Sequence, residues 1–385
     1  MIYVDNAATT KMSGRARDIL NEYMEKEYGN PSSLHSIGQK AKEKLEEARE
    51  IVASCIGSKA KEIYFTSGGS ESNNQAILSA AAIGERKGKK HIVSTKFEHH
   101  AVLHSLEDLV KRGFDITLID VDTNGIVDVR EVEEALREDT CLVSIMYANN
   151  EIGTVQPIEK IGEVCRKNNI LFHTDAVQAV GHIPVDVKEG DIDMLSISAH
   201  KFHGPKGIGA LYMREGILIT SIINGGSQER GKRAGTENVP AIMSMTVALE
   251  QSCSKMKENS EKIVIHRDKL IEGLSNIPKA YLNGDRYNRL PGNVSFCFEG
   301  IEGESLLLLL DQKGICASSG SACTSGSLEP SHVLLAIGRS HEIAHGSLRL
   351  SLDENNTEEE VMYIIDSVGE VVDYLRKLSP IWKEE

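Results

Sequence analysis

The sequence lacks the features that mark membrane-spanning, secreted or disulfide-bonded proteins. No apolar run in its 385 residues approaches the roughly 18 residues that a transmembrane helix needs. The first residues form neither a basic nor a long apolar stretch, so we expect no secretory leader. The seven cysteines are scattered and include no Cys-x-x-Cys pair. Their odd number and spacing disfavour a disulfide framework or a structural zinc site and favour a reducing cytoplasm.

An excess of positive charge is also missing. The 43 Lys and Arg are outnumbered by 57 Asp and Glu, which gives a formal net charge of −14, and no basic block stands out. This field repels nucleic acid and anionic membranes, so we expect neither as a partner. The hydrophobic content of 40% and the charged content of 26% are ordinary for a globular protein that buries a sizeable core.

The first two thirds of the chain alternate between helical and extended patterns. Residues 40–56 carry apolar side chains at helical spacing and end at Gly57. Short apolar runs typical of strands lie at 62–65, 91–94, 116–119, 142–146, 170–173 and 194–198. This alternation predicts an α/β fold with a mainly parallel central sheet wrapped by helices.

The pattern changes after about residue 255. A long polar helix (255–276) precedes scattered strands near 293–298, 314–317 and 347–351. A final helix begins at Thr357, where Glu360 completes a capping box. We therefore expect a large α/β domain over 12–255 and a smaller α+β domain formed by 1–11 and 256–385.

A candidate anion site follows the strand run 62–65. Residues 66–74 read Thr-Ser-Gly-Gly-Ser-Glu-Ser-Asn-Asn and lead into an apolar helix. Gly69 and Ser70 can offer backbone N–H groups and a hydroxyl to a phosphate. The alternative is an ordinary tight turn with a polar helix cap. The sequence contains no nucleotide P-loop and no Gly-x-Gly-x-x-Gly after a strand, which disfavours nucleotide and dinucleotide sites.

Three further strand runs are followed by residues whose side chains can take part in catalysis or ligand binding. Asp175 could hold a protonated ring nitrogen or serve as a helix cap. Lys201 could form a Schiff base or lie in a surface turn. His99 could stack on a ring or cap a helix. Ligands in open α/β sheets bind at the carboxyl ends of strands. A phosphate site, a stacking ring, an acid and an amine together meet the requirements of pyridoxal 5′-phosphate (PLP).

At this point the sequence resembles the cysteine desulfurases of the NifS and IscS type, which belong to the class-V aminotransferases and to fold type I of the PLP enzymes. The similarity covers nearly the whole chain, from Asp5 to Glu360. Its most specific segments are Gly29-Asn30-Pro31-Ser32-Ser33, Asn149-Asn150-Glu151-Ile152-Gly153, Ala199-His200-Lys201, Gln228-Glu229-Arg230-Gly231 and Ser318-Ser319-Gly320-Ser321-Ala322-Cys323-Thr324-Ser325.

The resemblance implies a role for each matching residue. Lys201 would carry the cofactor, and Asp175, Gln178 and His99 would contact its ring. The phosphate would be held by Gly69, Ser70, Ser198 and His200, with Thr236 supplied by the partner of a homodimer. Asn150 would contact the cofactor and, together with Arg349, hold the substrate carboxylate, which suits the planar guanidinium fork of arginine. The phosphate turn reads Gly-Gly-Ser where the family usually has Gly-Ala-Thr, and 225–227 replace a triple glycine.

Cys323 is the candidate nucleophile. It lies among Ser, Gly, Ala and Thr, a composition that predicts a mobile surface loop rather than packed core. Cys55, Cys141, Cys165, Cys297 and Cys316 lie in apolar runs and are predicted to be small core residues, whereas Cys253 has no distinctive neighbours.

The resulting hypothesis is a sulfurtransferase that converts L-cysteine to L-alanine and leaves a persulfide on Cys323. Lys201 would take the substrate Cα proton, the Cys323 thiolate would attack sulfur, and His99 would carry protons. The acceptor is left open among an iron–sulfur scaffold, a tRNA-modifying protein and a nitrogenase pathway. The need for an activator, activity on selenocysteine, and a transient role of Cys323 as an iron–sulfur ligand are also open.

Alternative functions have weaker support in the sequence. Residues 341–345 match His-Glu-x-x-His, the motif of zinc peptidases, but Gly346 and a strand pattern follow immediately, which disfavours a catalytic helix. His100 and His104 are disfavoured as a metal pair in the same way. An aminotransferase or selenocysteine lyase would keep the cofactor, but transamination needs no nucleophilic thiol. A sulfur-relay scaffold with little turnover would not need the complete set of PLP-binding residues.

Overall fold

The computed structural model describes residues 1–320, 330–380 and 382. Its strands are β1 (Ile2–Tyr3), β2 (Ile63–Thr66), β3 (His91–Thr95), β4 (Asp115–Ile119), β5 (Thr140–Ser144), β6 (Leu171–Asp175), β7 (Met194–Ser198), β8 (Gly209–Met213), β9 (Ala280–Leu282), β10 (Asn293–Phe298), β11 (Ile315–Cys316) and β12 (Ser347–Ser351). Its helices are α1 (Gly14–Glu25), α2 (Ser36–Cys55), α3 (Gly69–Arg86), α4 (His100–Lys111), α5 (Val129–Glu134), α6 (Ile158–Lys167), α7 (Gln228–Gly231), α8 (Val239–Ser275), α9 (Gly303–Gln312), α10 (His332–Ala336), α11 (His341–His345) and α12 (Glu358–Leu378).

The central sheet has the strand order β2-β8-β7-β6-β5-β3-β4. All neighbouring pairs are parallel except those of β8, which runs antiparallel to β2 and β7. Strands β3, β5 and β7 are buried along their whole length, as expected when helices cover both faces of a parallel sheet. The predicted α/β fold with a mainly parallel sheet is confirmed.

Strand β8 was absent from the predicted set. It follows β7 after a short connection, 199–208, and antiparallel neighbours can be joined this way, whereas parallel neighbours need a long crossover. The connection begins with a 3₁₀ turn, Ala199–Lys201. The pairing of β7 with β8 therefore fixes both ends of the connection 199–208, which places Lys201 just beyond the carboxyl end of β7.

A smaller antiparallel sheet, β12-β10-β9, lies in the C-terminal part of the chain. Strand β1 pairs in parallel with β11, so the N-terminus joins this part of the molecule. The predicted capping box is present at the start of α12, where the Thr357 hydroxyl accepts a hydrogen bond from the Glu360 backbone N–H. Arg349 lies at the centre of β12, opposite Ser295 of β10.

Helix α8 is longer than the predicted polar helix at 255–276. It begins at Val239, with the Asn238 side chain as its N-cap, and continues to Ser275 without interruption. Its first half, including Met245 and Leu249, packs in a hydrophobic cluster with the central sheet. Its second half, including Leu270, packs in a separate cluster with β10, β12 and α12.

Helix length and hydropathy give one further result. Within the described ranges, every helix is either too short or too polar to cross a membrane.

Candidate active site

The predicted strand ends meet around one cavity of about 370 Å³. The predicted site residues that line it are Gly69, Ser70, His99, Asn150, Asp175, Gln178, Ser198, His200, Lys201 and Arg349. Thr236 is exposed and is not among the lining residues. Cys323 lies outside the described residues, but Gly320 lines the same cavity.

Asp175 is the last residue of β6 and is held from two directions. Its Oδ2 accepts a hydrogen bond of 2.6 Å from Asn73 Nδ2, and its Oδ1 accepts one of 3.0 Å from the Val177 backbone N–H. Only 7% of Asp175 is exposed. The sequence reasoning missed Asn73, although its spacing from Ser70 and Gly69 puts it on the same side of α3 and could have indicated it.

Lys201 ends the 3₁₀ turn that follows β7. Its Nζ donates hydrogen bonds to the backbone carbonyls of Ala7, at 2.6 Å, and Ala8, at 2.8 Å. Gln178 Nε2 also donates to the Ala7 carbonyl, at 2.9 Å. The N-terminal segment is therefore part of the site wall. Backbone carbonyls carry no side-chain signature, so these contacts could not be predicted from the sequence.

His99 caps the N-terminus of α4. Its Nδ1 accepts a 3.1 Å hydrogen bond from the Ala101 N–H, which leaves the ring proton on Nε2 in the neutral form. Burial lowers the pKa of His99, an effect that the charge of Asp175 partly opposes and that of Lys201 reinforces. Burial, followed by the charges of Lys201 and Lys206, lowers the pKa of His200 to about 4. Both rings are therefore neutral near pH 7.

The candidate phosphate site is the N-terminus of α3, an 18-residue helix. Gly69 and Ser70 are its first residues, and Gly68 before them has a φ of +152°, which favours glycine. Ser198 and His200 line the same region of the cavity. Unpaired N–H groups and the helix dipole make such an N-terminus a favourable position for a phosphate.

Arg349 lies on the opposite side of the cavity, and only 1% of it is exposed. Its Nη2 pairs with Asp5 Oδ1 at 3.0 Å, and its Nη1 donates to the Asn150 carbonyl at 3.3 Å. Its buried Nε has no hydrogen-bond partner within the described residues. A buried guanidinium whose Nε–H has no protein acceptor is suited to binding a carboxylate ligand.

Two buried glutamates in the cavity wall were not identified from the sequence as site residues. Burial raises the pKa of Glu98 to about 8 and that of Glu151 to about 7. Glu151 accepts a short hydrogen bond from the Ser331 hydroxyl, and a Cβ at Gly320 would lie 2.6 Å from its Oε2. Glu151 thus lies beside both Gly320 and Ser331. Its position next to Asn150 in the family-matching segment 149–153 could have indicated Glu151 as a site residue.

The alternative zinc-peptidase motif lies on α11, which is only five residues long. In the described parts of the chain, only His203, Asp353 and Glu354 bring three metal-binding side chains together, and neither His341 nor His345 is among them. The geometry therefore gives the zinc-peptidase hypothesis no support.

The prediction of core cysteines is only partly correct. Cys141, Cys165 and Cys297 are buried as expected. Cys55 and Cys316 are only partly buried, because Cys55 is the last residue of α2 and Cys316 lies in the two-residue strand β11. The apolar neighbours of Cys55 and Cys316 in the sequence did not indicate that both cysteines end a helix or a strand and are therefore only partly buried.

The residues of the cavity fit PLP. An anion site at α3, a buried carboxylate at Asp175 and an amine at Lys201 match the phosphate, the ring nitrogen and the aldehyde of this cofactor. The buried Oδ1 of Asn73 and Oε2 of Glu98 have no partner in the described structure, so the cavity also retains hydrogen-bonding capacity for a polar ligand.

Comparison with known proteins identifies the family. Residues 2–364 match the family described as Aminotransferase class-V. Cysteine desulfurase IscS of Methanosarcina thermophila is 52% identical over 384 residues, which cover 100% of this chain and 95% of that protein. Cysteine desulfurase IscS of Clostridium botulinum (strain Hall) is 50% identical over 386 residues, covering 100% of this chain and 97% of that protein.

Solved structures give the same result. A structure titled NifS-like protein is 40% identical, with a TM-score of 0.91, and covers 97% of this chain and 100% of its own. A structure titled SspA in complex with cysteine is 36% identical, with a TM-score of 0.82, and covers 93% of this chain and 100% of its own. The chain belongs to the class-V aminotransferase family and, within it, to the PLP-dependent cysteine desulfurases of the IscS and NifS type.

Proposed function

We propose that this chain removes sulfur from L-cysteine, releases L-alanine and retains the sulfur as a persulfide on Cys323. The observation that carries the proposal is the position of Gly320, which lines the same cavity as Lys201 and Arg349. Cys323 follows Gly320 by three residues in the sequence.

The substrate carboxylate is assigned to Arg349, with Asn150 beside it. The free Nε of the buried guanidinium supports this assignment, and Asp5 and the Asn150 carbonyl fix the orientation of the group. A fixed carboxylate positions the substrate Cα relative to Lys201 on the facing wall.

The cofactor is assigned to the facing wall. PLP, when bound, withdraws electrons from the substrate carbon skeleton. Asp175 would hold the ring nitrogen, Gln178 would contact the ring hydroxyl and His99 would lie against the ring. Gly69, Ser70, Ser198 and His200 would hold the phosphate. The hydrogen bonds from Asn73 and Val177 support the role of Asp175, because they hold its carboxylate in a fixed orientation.

Proton transfer is assigned to Lys201 and His99. The Lys201 amine takes the proton from the substrate Cα, and His99, which is neutral near pH 7, can accept or deliver a proton through its imidazole.

Sulfur transfer is assigned to Cys323. Its thiolate forms a bond to the substrate sulfur while the Cβ–S bond of the substrate breaks. The electron pair stays with the carbon, which gains a proton as alanine forms. The products are alanine and a persulfide, with no external oxidant or reductant.

The same proposal includes a homodimer in a cytoplasmic setting. Thr236 is exposed on its own chain, as a residue that completes the partner's phosphate site would be. Two separate hydrophobic clusters support a division into a domain at 12–255 and one formed by 1–11 and 256–385. We propose an iron–sulfur scaffold or another sulfur-accepting protein as the recipient of the persulfide.

The test is incubation of the holoenzyme with L-cysteine, followed by the alanine yield and the mass of the peptide that contains Cys323. We expect one added sulfur atom on this peptide and an equal amount of alanine. Cys323→Ser should abolish both signals while retaining the cofactor. Cys316→Ser is the matched control, because it removes a thiol in the same part of the chain. Wild-type sulfide release by Cys323→Ser in the presence of reductant would overturn the proposal.

A further inference from the structure

A second cavity, of about 850 Å³, lies between the two hydrophobic clusters and away from Asp175. On its wall are His203, Asp353 and Glu354. His203 lies two residues beyond Lys201, and the two acids follow β12, which carries Arg349. Residues that follow β7 and residues that follow β12 therefore line this second cavity together.

The His203 ring is oriented with one nitrogen available. Its backbone is in the left-handed region, with a φ of +64°, and its N–H donates to Thr10 Oγ1 at 2.8 Å. Its Nδ1 lies 3.0 Å from the Lys11 carbonyl and must be the protonated nitrogen there, because a carbonyl only accepts. The Nε2 lone pair then faces the carboxylates. Metal-binding histidines are usually oriented by such a bond from the other ring nitrogen.

The carboxylates complete a three-residue ligand set. Asp353 is held by Asn355, whose backbone N–H donates to Oδ1 at 2.8 Å and whose side-chain amide donates to Oδ2 at 3.2 Å. One ligand atom from each of His203, Asp353 and Glu354 lies within 4.8 Å of the other two. Each carboxylate oxygen retains a lone pair for a cation.

The spacing suits two ligands of one ion when the His203 ring is neutral, and an ion pair with Glu354 when the ring is protonated. His203 Nε2 and Glu354 Oε2 are 3.5 Å apart, which is longer than the 2.7–3.2 Å typical of a hydrogen bond. Two ligands at about 2.1 Å from a tetrahedral ion are about 3.4 Å apart. Imidazole with two carboxylates suits a divalent transition ion better than Ca²⁺ or Mg²⁺, which prefer oxygen ligands alone.

We propose that His203, Asp353 and Glu354 bind one divalent transition-metal ion, such as Zn²⁺ or Mn²⁺, with water in the remaining positions. The bound ion would connect the loop of Lys201 to the end of β12. It would thereby hold together the two parts of the chain that form the active-site cavity. The ion acts through these segments and takes no part in sulfur transfer.

Equilibrium dialysis of the chelator-treated holoenzyme with Mn²⁺ tests the site, because thiolates bind this ion weakly and the cysteines then contribute little. We expect one Mn²⁺ per chain and a higher melting temperature when it is bound. Glu354→Gln and His203→Asn should each weaken binding at least about 10-fold and abolish the rise in melting temperature. Asparagine is chosen at 203 because it tolerates the left-handed backbone.

Glu359→Gln is the matched control, since it removes the same charge from an exposed position near the site and should bind Mn²⁺ like the wild type. If His203→Asn does not fold, Glu354→Gln and Asp353→Asn decide the question. Equal Mn²⁺ binding by wild type and both acid variants, or no binding of Mn²⁺ or Zn²⁺ by the wild type at millimolar concentration, would overturn the site. Neither measurement depends on the sulfur-transfer activity.

Discussion

The two walls of the active-site cavity are built differently. The wall formed by the central parallel sheet presents Asp175 and Lys201 at or just beyond the ends of β6 and β7. The wall formed by the small antiparallel sheet presents Arg349 from the middle of β12. The first arrangement follows a general rule for ligands at the carboxyl ends of parallel strands, whereas the second follows no such rule. We therefore assign the cofactor to the first wall and the substrate carboxylate to the second.

The sharpest test of this division is on the parallel-sheet wall. Lys201→Ala removes the amine that we assign to cofactor attachment and to Cα proton transfer, so alanine formation should fall by at least about 10³-fold. The variant should also lose its cofactor on gel filtration, as measured by visible absorption. Lys188→Ala, at an exposed position, serves as the control. A variant that keeps both the cofactor and turnover would break the division.

The antiparallel-sheet wall should respond in the opposite sense. Arg349→Lys keeps the charge but loses the planar fork, which we expect to lower kcat/KM about 10- to 100-fold, mainly through KM. Cofactor retention should be unchanged, because the parallel-sheet wall is intact. Steady-state kinetics over a range of L-cysteine concentrations will separate the two parameters. Arg130→Lys, on the surface, should match the wild type. Loss of cofactor from Arg349→Lys would contradict the assignment of separate roles.

Glu151 adjoins both walls and should make stability depend on pH. Burial raises its pKa from 4.5 in the unfolded chain to about 7, so the folded state holds the proton more tightly. The stability contributed by this protonated carboxyl is complete below about pH 4.5 and is lost as the pH rises through 7, by up to about 3 kcal/mol.

Glu151→Gln keeps a neutral, hydrogen-bonding side chain at all pH values. Its melting temperature should therefore fall less between pH 5 and pH 8 than that of the wild type. Thermal melts of the holoenzyme at several pH values provide the measurement, with Glu359→Gln as the control. Parallel pH profiles for wild type and Glu151→Gln would show that Glu151 does not titrate in this range.

The smallest effect is expected far from the cavity. Thr357→Ala removes the N-cap of α12 and should cost about 1 kcal/mol of stability without changing KM. Thr357→Ser keeps the hydroxyl and should restore the wild-type melting temperature. If Thr357→Ala instead raised KM, the antiparallel-sheet wall would be sensitive to distant packing, and the interpretation of Arg349→Lys would need revision.

Residues at strand ends were the most predictable part of this molecule. The runs that became β2, β3, β6 and β7 have short, apolar sequences, and the polar residues that follow them carry the candidate chemistry. Strand β8 was not predicted, although Gly204-Pro205-Lys206-Gly207 is a turn signal and the apolar run that follows it has the length of a strand. The spacing of apolar residues within each segment was sufficient to predict the fold class.

Contacts made across long sequence distances were not predictable. Lys201 bonds to the carbonyls of Ala7 and Ala8, and Arg349 pairs with Asp5, more than 190 residues away in each case. No local pattern signals which backbone carbonyl will face a distant side chain. The roles of Arg349 and Thr236 came from family resemblance, because neither lies at the end of a strand in the predicted parallel sheet.

The pairing of the N-terminus with late parts of the chain affects synthesis. Residues 2–3 are synthesised more than 300 residues before their partners in β11, and the Asn6 N–H bonds to the carbonyl of Ser351. Proteins of this size generally fold progressively as they emerge. The carbonyls of Ala7 and Ala8 can thus reach Lys201 in their final geometry only after Ser351 has been made, which delays the competent cofactor pocket until well after Lys201 itself has been synthesised.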